Sequence, residues 1–145
     1  MAFGACLLLL LAAPALDLSG VAVFATDIAW FGVGIMIAGL GLRVWAALAL
    51  GRFYTRTLRL ASDQGVVRRG PYRLIRHPGY AGDIVLWLGA ALASHNLIVL
   101  ALVATIVAFA YGTRIAAEEQ MLLAAFGDDY RSYAKRSWRL IPFVY

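Results

Sequence analysis

Every one of the thirteen lysines and arginines in this 145-residue chain follows position 42. No other feature constrains the fold as much, because the basic blocks alternate with apolar stretches of one characteristic length. Arg43 stands by itself in an apolar stretch. Seven arginines (Arg52, Arg56, Arg59, Arg68, Arg69, Arg73 and Arg76) fall between Gly51 and His77, opposed there only by Asp63. The remaining five basic residues, Arg114, Arg131, Lys135, Arg136 and Arg139, lie in the last third. Between these blocks, Ile28–Leu50 runs for 23 residues, Pro78–Ser94 for 17 and His95–Thr113 for 19. A hydrocarbon core of about 30 Å needs roughly 20 helical residues, within a range of about 17–25. The first stretch qualifies, and the other two qualify as a pair joined by a tight turn at Ser94-His95-Asn96. Met1–Leu16 is the weakest candidate, short and interrupted by Pro14. Ala13-Pro14-Ala15 resembles a signal-peptide cleavage site, but the segment lacks a basic n-region and is taken as a span.

Composition agrees with lipid as the solvent. The chain is 63% hydrophobic and 14% charged, against a usual charged share of about 25%, and a soluble chain of this size cannot bury so much apolar surface. The single cysteine, Cys6, excludes a disulfide framework, and no Cys/His spacing suggests a structural metal. A net charge of +5 would suggest nucleic acid in a soluble protein. Here the charge follows the positive-inside pattern, so no nucleic acid is expected. Loop 51–77 and tail 114–145 then share the cytoplasmic side, while segment 17–27, with two acids and no base, faces outward. Both termini are cytoplasmic. The predicted fold is an all-α integral membrane protein with about four transmembrane helices in a single domain. Residues 1–50 hold two N-terminal spans, 51–77 a cytoplasmic loop, 78–113 a helical hairpin, and 114–145 a cytoplasmic helix and tail.

Within the spans, Gly34-xxx-Ala38 and Gly89-xxx-Ala93 are small-xxx-small pairs that let helices approach closely. Arg43 and Asp83 are charges inside apolar stretches, at a cost of at least ~2.5 kcal/mol each on insertion scales. Each lies one to two turns from the cytoplasmic end of its span. Mutual pairing and snorkelling of Arg43 to the headgroups both remain open.

The cytoplasmic segments carry the chemistry. Residues 64–82 are dense in Gly and Pro, hence a shaped loop, and Pro78 suits the first turn of a helix. His77 then sits at that helix mouth, where backbone N–H groups and the dipole attract anions. His95 belongs to the opposite face. Arg114 and Glu118 are spaced i, i+4 on a helix continuing out of the fourth span. Leu122, Leu123 and Phe126 follow, with Gly127 as a C-cap-like residue, in a helix amphipathic enough to lie against the membrane or the loop.

Taken together, Gly70-x-Tyr72-x-x-x-Arg76-His77-Pro78-x-Tyr80-x-Gly82, a two-helix hairpin, Arg114-x-x-x-Glu118-Glu119-x-x-Leu122, Phe126-Gly127-x-x-Tyr130-x-x-Tyr133 and Ile141-Pro142 form an ordered pattern. It resembles the isoprenylcysteine carboxyl methyltransferase and phospholipid methyltransferase superfamily over about residues 64–145. The resemblance implies a membrane methyltransferase that uses S-adenosylmethionine and releases S-adenosylhomocysteine. It implies that Gln64, Gly65, Val66, Val67, Tyr72, His77, Pro78, Gly79, Tyr80 and Glu118 line the cofactor pocket. Arg114 would touch the methyl acceptor, so that Arg114 and Glu118 are the catalytic pair.

The chemistry suits those assignments. A water-soluble cofactor arrives on the basic side, and an aromatic face at Tyr72 or Tyr80 can receive its sulfonium. Its carboxylate suits the helix mouth and the arginines, and Glu118 its amino group or ribose. In-line methyl transfer needs alignment and no metal, and alignment is worth up to about 7–11 kcal/mol. The implied acceptor is lipophilic or small, an isoprenylcysteine-type carboxylate first. Phospholipid N-methylation, thiol S-methylation and a non-catalytic anchor binding anionic lipid headgroups are the other readings. A transporter would need mid-membrane ionisable groups and internal repeats, which the sequence does not offer.

Overall fold

In a computed structural model the chain is described over residues 2–18, 20, 22–23, 25–51 and 65–143. Those residues form four α-helices: α1 (Ala2–Leu18), α2 (Thr26–Leu50), α3 (Pro78–Ala93) and α4 (Leu97–Ala134). A short 3-10 turn covers Gly70–Arg73. Gln64, Arg52, Arg56, Arg59 and Asp63 lie outside the described residues.

Two of the described helices are long and apolar enough to cross a membrane, over Asp27–Leu50 and Leu97–Ala134. With 16 residues, α3 reaches only about 24 Å at 1.5 Å per residue, and α1, 17 residues that run through Pro14, is at the lower end of the spanning range. Large apolar side chains stand on the outside: Trp30 is 73% exposed, Leu48 74% and Phe109 75%. Surface of this kind is favourable against lipid and costly against water.

The chain divides into two compact units, one of Met1–Gly41 with Gly82–Gly112, the other of Leu42–Ala81 with Thr113–Tyr145. The first has a core of small and β-branched residues, among them Cys6, Ala13, Ala91, Val99, Val103 and Val107. There α2 and α3 touch backbone to backbone. A Cβ built on Gly89 would stand 2.8 Å from Gly32 O, one on Gly32 would stand 2.5 Å from Ala93 N, and one on Gly39 would stand 2.7 Å from Gly82 O. Gly34, by contrast, has no atom within 4 Å of such a Cβ. Of the two small-residue pairs marked in the sequence, the one beginning at Gly89 lies in this contact. On α2 the contact runs through Gly32 and Gly39 instead of Gly34. Both Gly32/Gly39 and Gly82/Gly89 are seven residues apart, two turns that return nearly to the same face.

The turn at 94–96 is tight, with His95 at φ 67°. The buried Asn96 caps α4, its Oδ1 accepting from Ile98 N at 3.0 Å and Val99 N at 3.3 Å. This is the strongly preferred use of an N-cap Asn.

In the second unit, α2 closes on Gly51 at φ 58°, a left-handed end of the usual kind. Arg69 Nε donates to Ala49 O at 2.7 Å, which satisfies one of the carbonyls orphaned at that end. Two irregular segments then run side by side. Trp138 N donates to Leu74 O at 2.8 Å, Arg76 N to Trp138 O at 2.7 Å and His77 N to Arg139 O at 3.2 Å. Gly127, expected to end a helix, adopts φ 51° and ψ −120° and kinks α4, and helical bonding continues to Ala134.

Candidate active site

The site is built where these irregular segments meet the second half of α4. His77 O accepts from Ala81 N at 2.9 Å, so His77 is the residue from which α3 starts, with Pro78 as its first helical position. On α4, Arg114 and Glu118 are one turn apart on one face, and Glu119 points roughly 100° around the helix from Glu118.

Tyr80 joins the first two. Its hydroxyl donates to Glu118 Oε2 at 2.6 Å, and the Arg114 guanidinium lies 5.8 Å from the ring centroid. His77 stacks on Tyr80, its ring 5.7 Å away and inclined by 17°. A carboxylate, a guanidinium and two aromatic rings therefore converge within the second unit.

Glu119 is the hub of an adjoining network that shares His77. Its Oε1 accepts from Arg76 Nε at 3.0 Å, His77 Nε2 at 3.3 Å and Arg139 Nε at 3.2 Å. Its Oε2 accepts from Arg139 Nη2 at 2.7 Å. The His77 bond is assigned with Nε2 as donor, because an ionised carboxylate can only accept. Burial alone would raise the Glu119 pKa, but the hydrogen bonds from His77, Arg139 and Arg76 outweigh it and hold the pKa at about 2. Arg76 is fixed further by donating to Ala134 O at 2.9 Å and to Ser137 O. Tyr133 OH donates to Tyr72 O at 2.8 Å, tying the 3-10 turn to the end of α4. Tyr130 is 4% exposed, and its hydroxyl has no hydrogen-bond partner among the described residues. Burial, and after it the charge of Glu119, raises its pKa.

Of the residues implicated by the sequence pattern, Tyr80, Arg114 and Glu118 come together directly. His77 joins through its stack on Tyr80. Pro78 is buried and Gly79 half-buried in the first turn of α3, while Tyr72 enters through its carbonyl. Gly65 is exposed and Val66 and Val67 are half-buried in the irregular segment before the 3-10 turn, outside this hydrogen-bonded cluster. The donor set suits a ligand carrying both signs of charge, such as the S-adenosylmethionine implied by the resemblance. An aromatic pair, a carboxylate and a guanidinium are the groups such a ligand would require.

Sequence reasoning gave no role to Glu119 or Arg139. The signal was available in part. Successive carboxylates on a helix point about 100° apart, which suits Glu118 and Glu119 to different partners. Nothing in the sequence indicated that Arg139, twenty residues further along, pairs with Glu119.

The family model for isoprenylcysteine carboxyl methyltransferase matches residues 32–124. A protein-S-isoprenylcysteine O-methyltransferase A of Arabidopsis thaliana is 32% identical over 116 residues, which is 79% of this chain and 59% of that protein. Methanethiol S-methyltransferase 1 of Bradyrhizobium diazoefficiens is 40% identical over 72 residues, half of this chain and 24% of that one. A solved structure of a eukaryotic intramembrane Ras methyltransferase superposes with a TM-score of 0.77 at 28% identity, covering 82% of this chain and 43% of the other. The chain thus spans about three-fifths of the Arabidopsis relative and less than half of the solved structure.

Proposed function

This chain belongs to the isoprenylcysteine carboxyl methyltransferase family, and on that premise we propose that it is an integral-membrane methyltransferase taking its methyl group from S-adenosylmethionine and giving it to a carboxylate on a lipophilic, isoprenylcysteine-type acceptor. The observation that carries the reading is the convergence of Glu118 and Arg114 on Tyr80. When bound, S-adenosylmethionine supplies an activated methyl group on a cationic sulfur. The stacked Tyr80 and His77 rings form the aromatic wall of its pocket, and Glu118 takes a cationic or hydroxyl donor of the same ligand. Arg114 holds the acceptor carboxylate with its planar fork. The protein's main contribution is alignment of acceptor and donor. The Glu119 network holds the loop and helix that present these residues. Gln64, Gly65, Val66 and Val67, with Tyr72, Pro78 and Gly79, complete the cofactor side of this reading.

The test separates cofactor binding from turnover. Glu118→Gln should raise the dissociation constant for S-adenosylhomocysteine in calorimetry. Arg114→Ala should leave that constant near the parent's and cut turnover of a prenylated cysteine acceptor by about 100-fold, the scale of a misaligned reactant. Arg114→Lys should rescue in part, keeping charge and losing the fork. Parent-like binding and turnover in all three variants would remove both residues from the site. Methylation of a small thiol with no methylation of the prenylcysteine carboxylate would overturn the acceptor assignment.

The proposed topology has four spans, with the site and both termini on the cytoplasmic side. Asn96 marks the outer turn but is fully buried, so the neighbouring Leu97, 54% exposed, is the better probe. In a Cys6→Ser background, an impermeant maleimide should label Leu97→Cys from outside only and Lys135→Cys from inside only. The reverse pattern would invert the orientation.

A further inference from the structure

We propose that a cleft beside the 3-10 turn binds the phosphate group of an anionic membrane lipid. The cleft has a volume of about 390 Å³ and is lined by Arg68, Arg73, Ser132, Tyr133 and Arg136. All of these belong to the second unit, and none is among the residues assigned above to cofactor or acceptor. The proposal does not rest on the methyltransferase reading, which enters only through S-adenosylhomocysteine binding as the control for an intact fold.

Charge balance is the first argument. Three arginines line one cleft, and among the described residues the carboxylate paired with any of them is Asp129, which pairs with Arg68. The neighbouring Asp128 is taken by Arg131 at 2.9 Å. Arg73 and Arg136 have no side-chain partner among the described residues. The lining hydroxyls are committed as donors elsewhere, Tyr133 OH to Tyr72 O at 2.8 Å and Ser132 Oγ to Asp129 O at 2.9 Å. With the hydroxyl donors committed, an occupant that accepts hydrogen bonds takes them from the guanidinium groups. A phosphate, with several acceptor oxygens in a tetrahedral array, matches guanidinium forks of this kind.

The surroundings select the source of that phosphate. Residues 74–77 and 138–139 run side by side, so Leu74 and Trp138 sit next to the segments that carry Arg73 and Arg136. Leu74 is 60% exposed, Trp138 40%, Ile141 56% and Phe143 84%, and the Trp138 and Phe143 rings touch with centroids 5.6 Å apart. An exposed aromatic and aliphatic knuckle beside a basic cleft is the arrangement expected at the headgroup level of a bilayer, with rings at the interface and arginines at the phosphates. A soluble phosphate would have no use for the knuckle.

The experiment uses the purified full-length protein in a neutral detergent and reads its melting temperature. The probes are dioctanoyl phosphatidylglycerol, dioctanoyl phosphatidylcholine and inorganic phosphate. The expected result is a rise of several degrees with the phosphatidylglycerol, half-saturating at least tenfold below inorganic phosphate, and a smaller rise with the phosphatidylcholine. In Arg73→Gln/Arg136→Gln the phosphatidylglycerol shift should be lost, while S-adenosylhomocysteine binding stays at the parent's value and so reports an intact fold. Trp138→Ser with Phe143→Ser should weaken the lipid response and leave the phosphate response unchanged. Equal shifts from both lipids, or a shift retained in the double arginine variant, would overturn the proposal. Inorganic phosphate matching the lipid would assign the cleft to a soluble anion and refute the lipid. Loss of S-adenosylhomocysteine binding in the arginine variant would assign the cleft to the cofactor and also refute it.

Discussion

Gly89→Leu is expected to abolish the close contact of α2 and α3 and to leave protein that is extracted poorly and melts far below the parent. Even the first carbon of a side chain at position 89 would stand 2.8 Å from Gly32 O, and the amide of Met36 is closer still. Both neighbours are backbone, so no flexible side chain can swing away, and only separation of the two helices relieves the clash. Overpacking of ordinary cores costs about 1–3 kcal/mol, and a backbone-to-backbone contact lies at the upper end or beyond. Gly89→Ala should show the same sign with a smaller drop in melting temperature. Gly34→Ala is the matched control. Nothing lies within 4 Å of its added carbon, and replacing a helix-interior glycine by alanine is worth about 0.5–1 kcal/mol in favour of the helix. Opposite signs at positions 34 and 89, measured by thermal melts in one detergent, are the expected result. A neutral Gly89→Leu would mean that α2 and α3 do not touch as described.

The contrast between those glycines shows where sequence reasoning stops. The small-xxx-small spacing identifies residues able to permit close approach, and on α2 it marked Gly34 and Ala38. Which glycines are used depends on the face turned to α3, and that face carries Gly32 and Gly39 instead. On a helix apolar all round, no polar side identifies the buried one. Features fixed by local chemistry were legible. The start of α3 at Pro78 follows from proline at a first turn, and the cap of α4 at Asn96 makes the tight turn expected at Ser94-His95-Asn96. The approach of Tyr80 to Arg114 and Glu118 was legible only through the family pattern. Gly127 was recognised as a helix breaker, but α4 bends there and continues. The pairing of Trp138 with Leu74 joins irregular segments more than sixty residues apart, which leave no periodic signal to read.

Removing the carboxylate of Glu119 should be the most damaging single change in the second unit. It is the common acceptor for Arg76, His77 and Arg139, and the Arg76 side chain is only 12% exposed. Truncation to alanine therefore strands a nearly buried cation. Removing one partner of a buried pair costs about 3–5 kcal/mol, much of it the penalty on the charge left behind. The lower end applies here, since Arg139 is a third exposed. Glu119→Gln keeps the shape, yet one of its two terminal groups becomes a donor facing donors, so it should also destabilise. The pH dependence distinguishes loss of the charge from loss of packing. The folded-state pKa of about 2 lies below the usual carboxyl value of 4.5, so the ionised form contributes stability that is complete above the usual value. That contribution is lost as pH falls through 4.5 towards 2. The melting-temperature gap between parent and Glu119→Gln should be widest near pH 7 and should narrow between pH 5 and 3. A gap constant across that range would mean that the network acts through shape alone, and a gap that widens on acidification would contradict the ionised hub. Turnover should fall with stability, and S-adenosylhomocysteine binding should weaken as well, because His77 and the start of α3 are held in place through the same carboxylate.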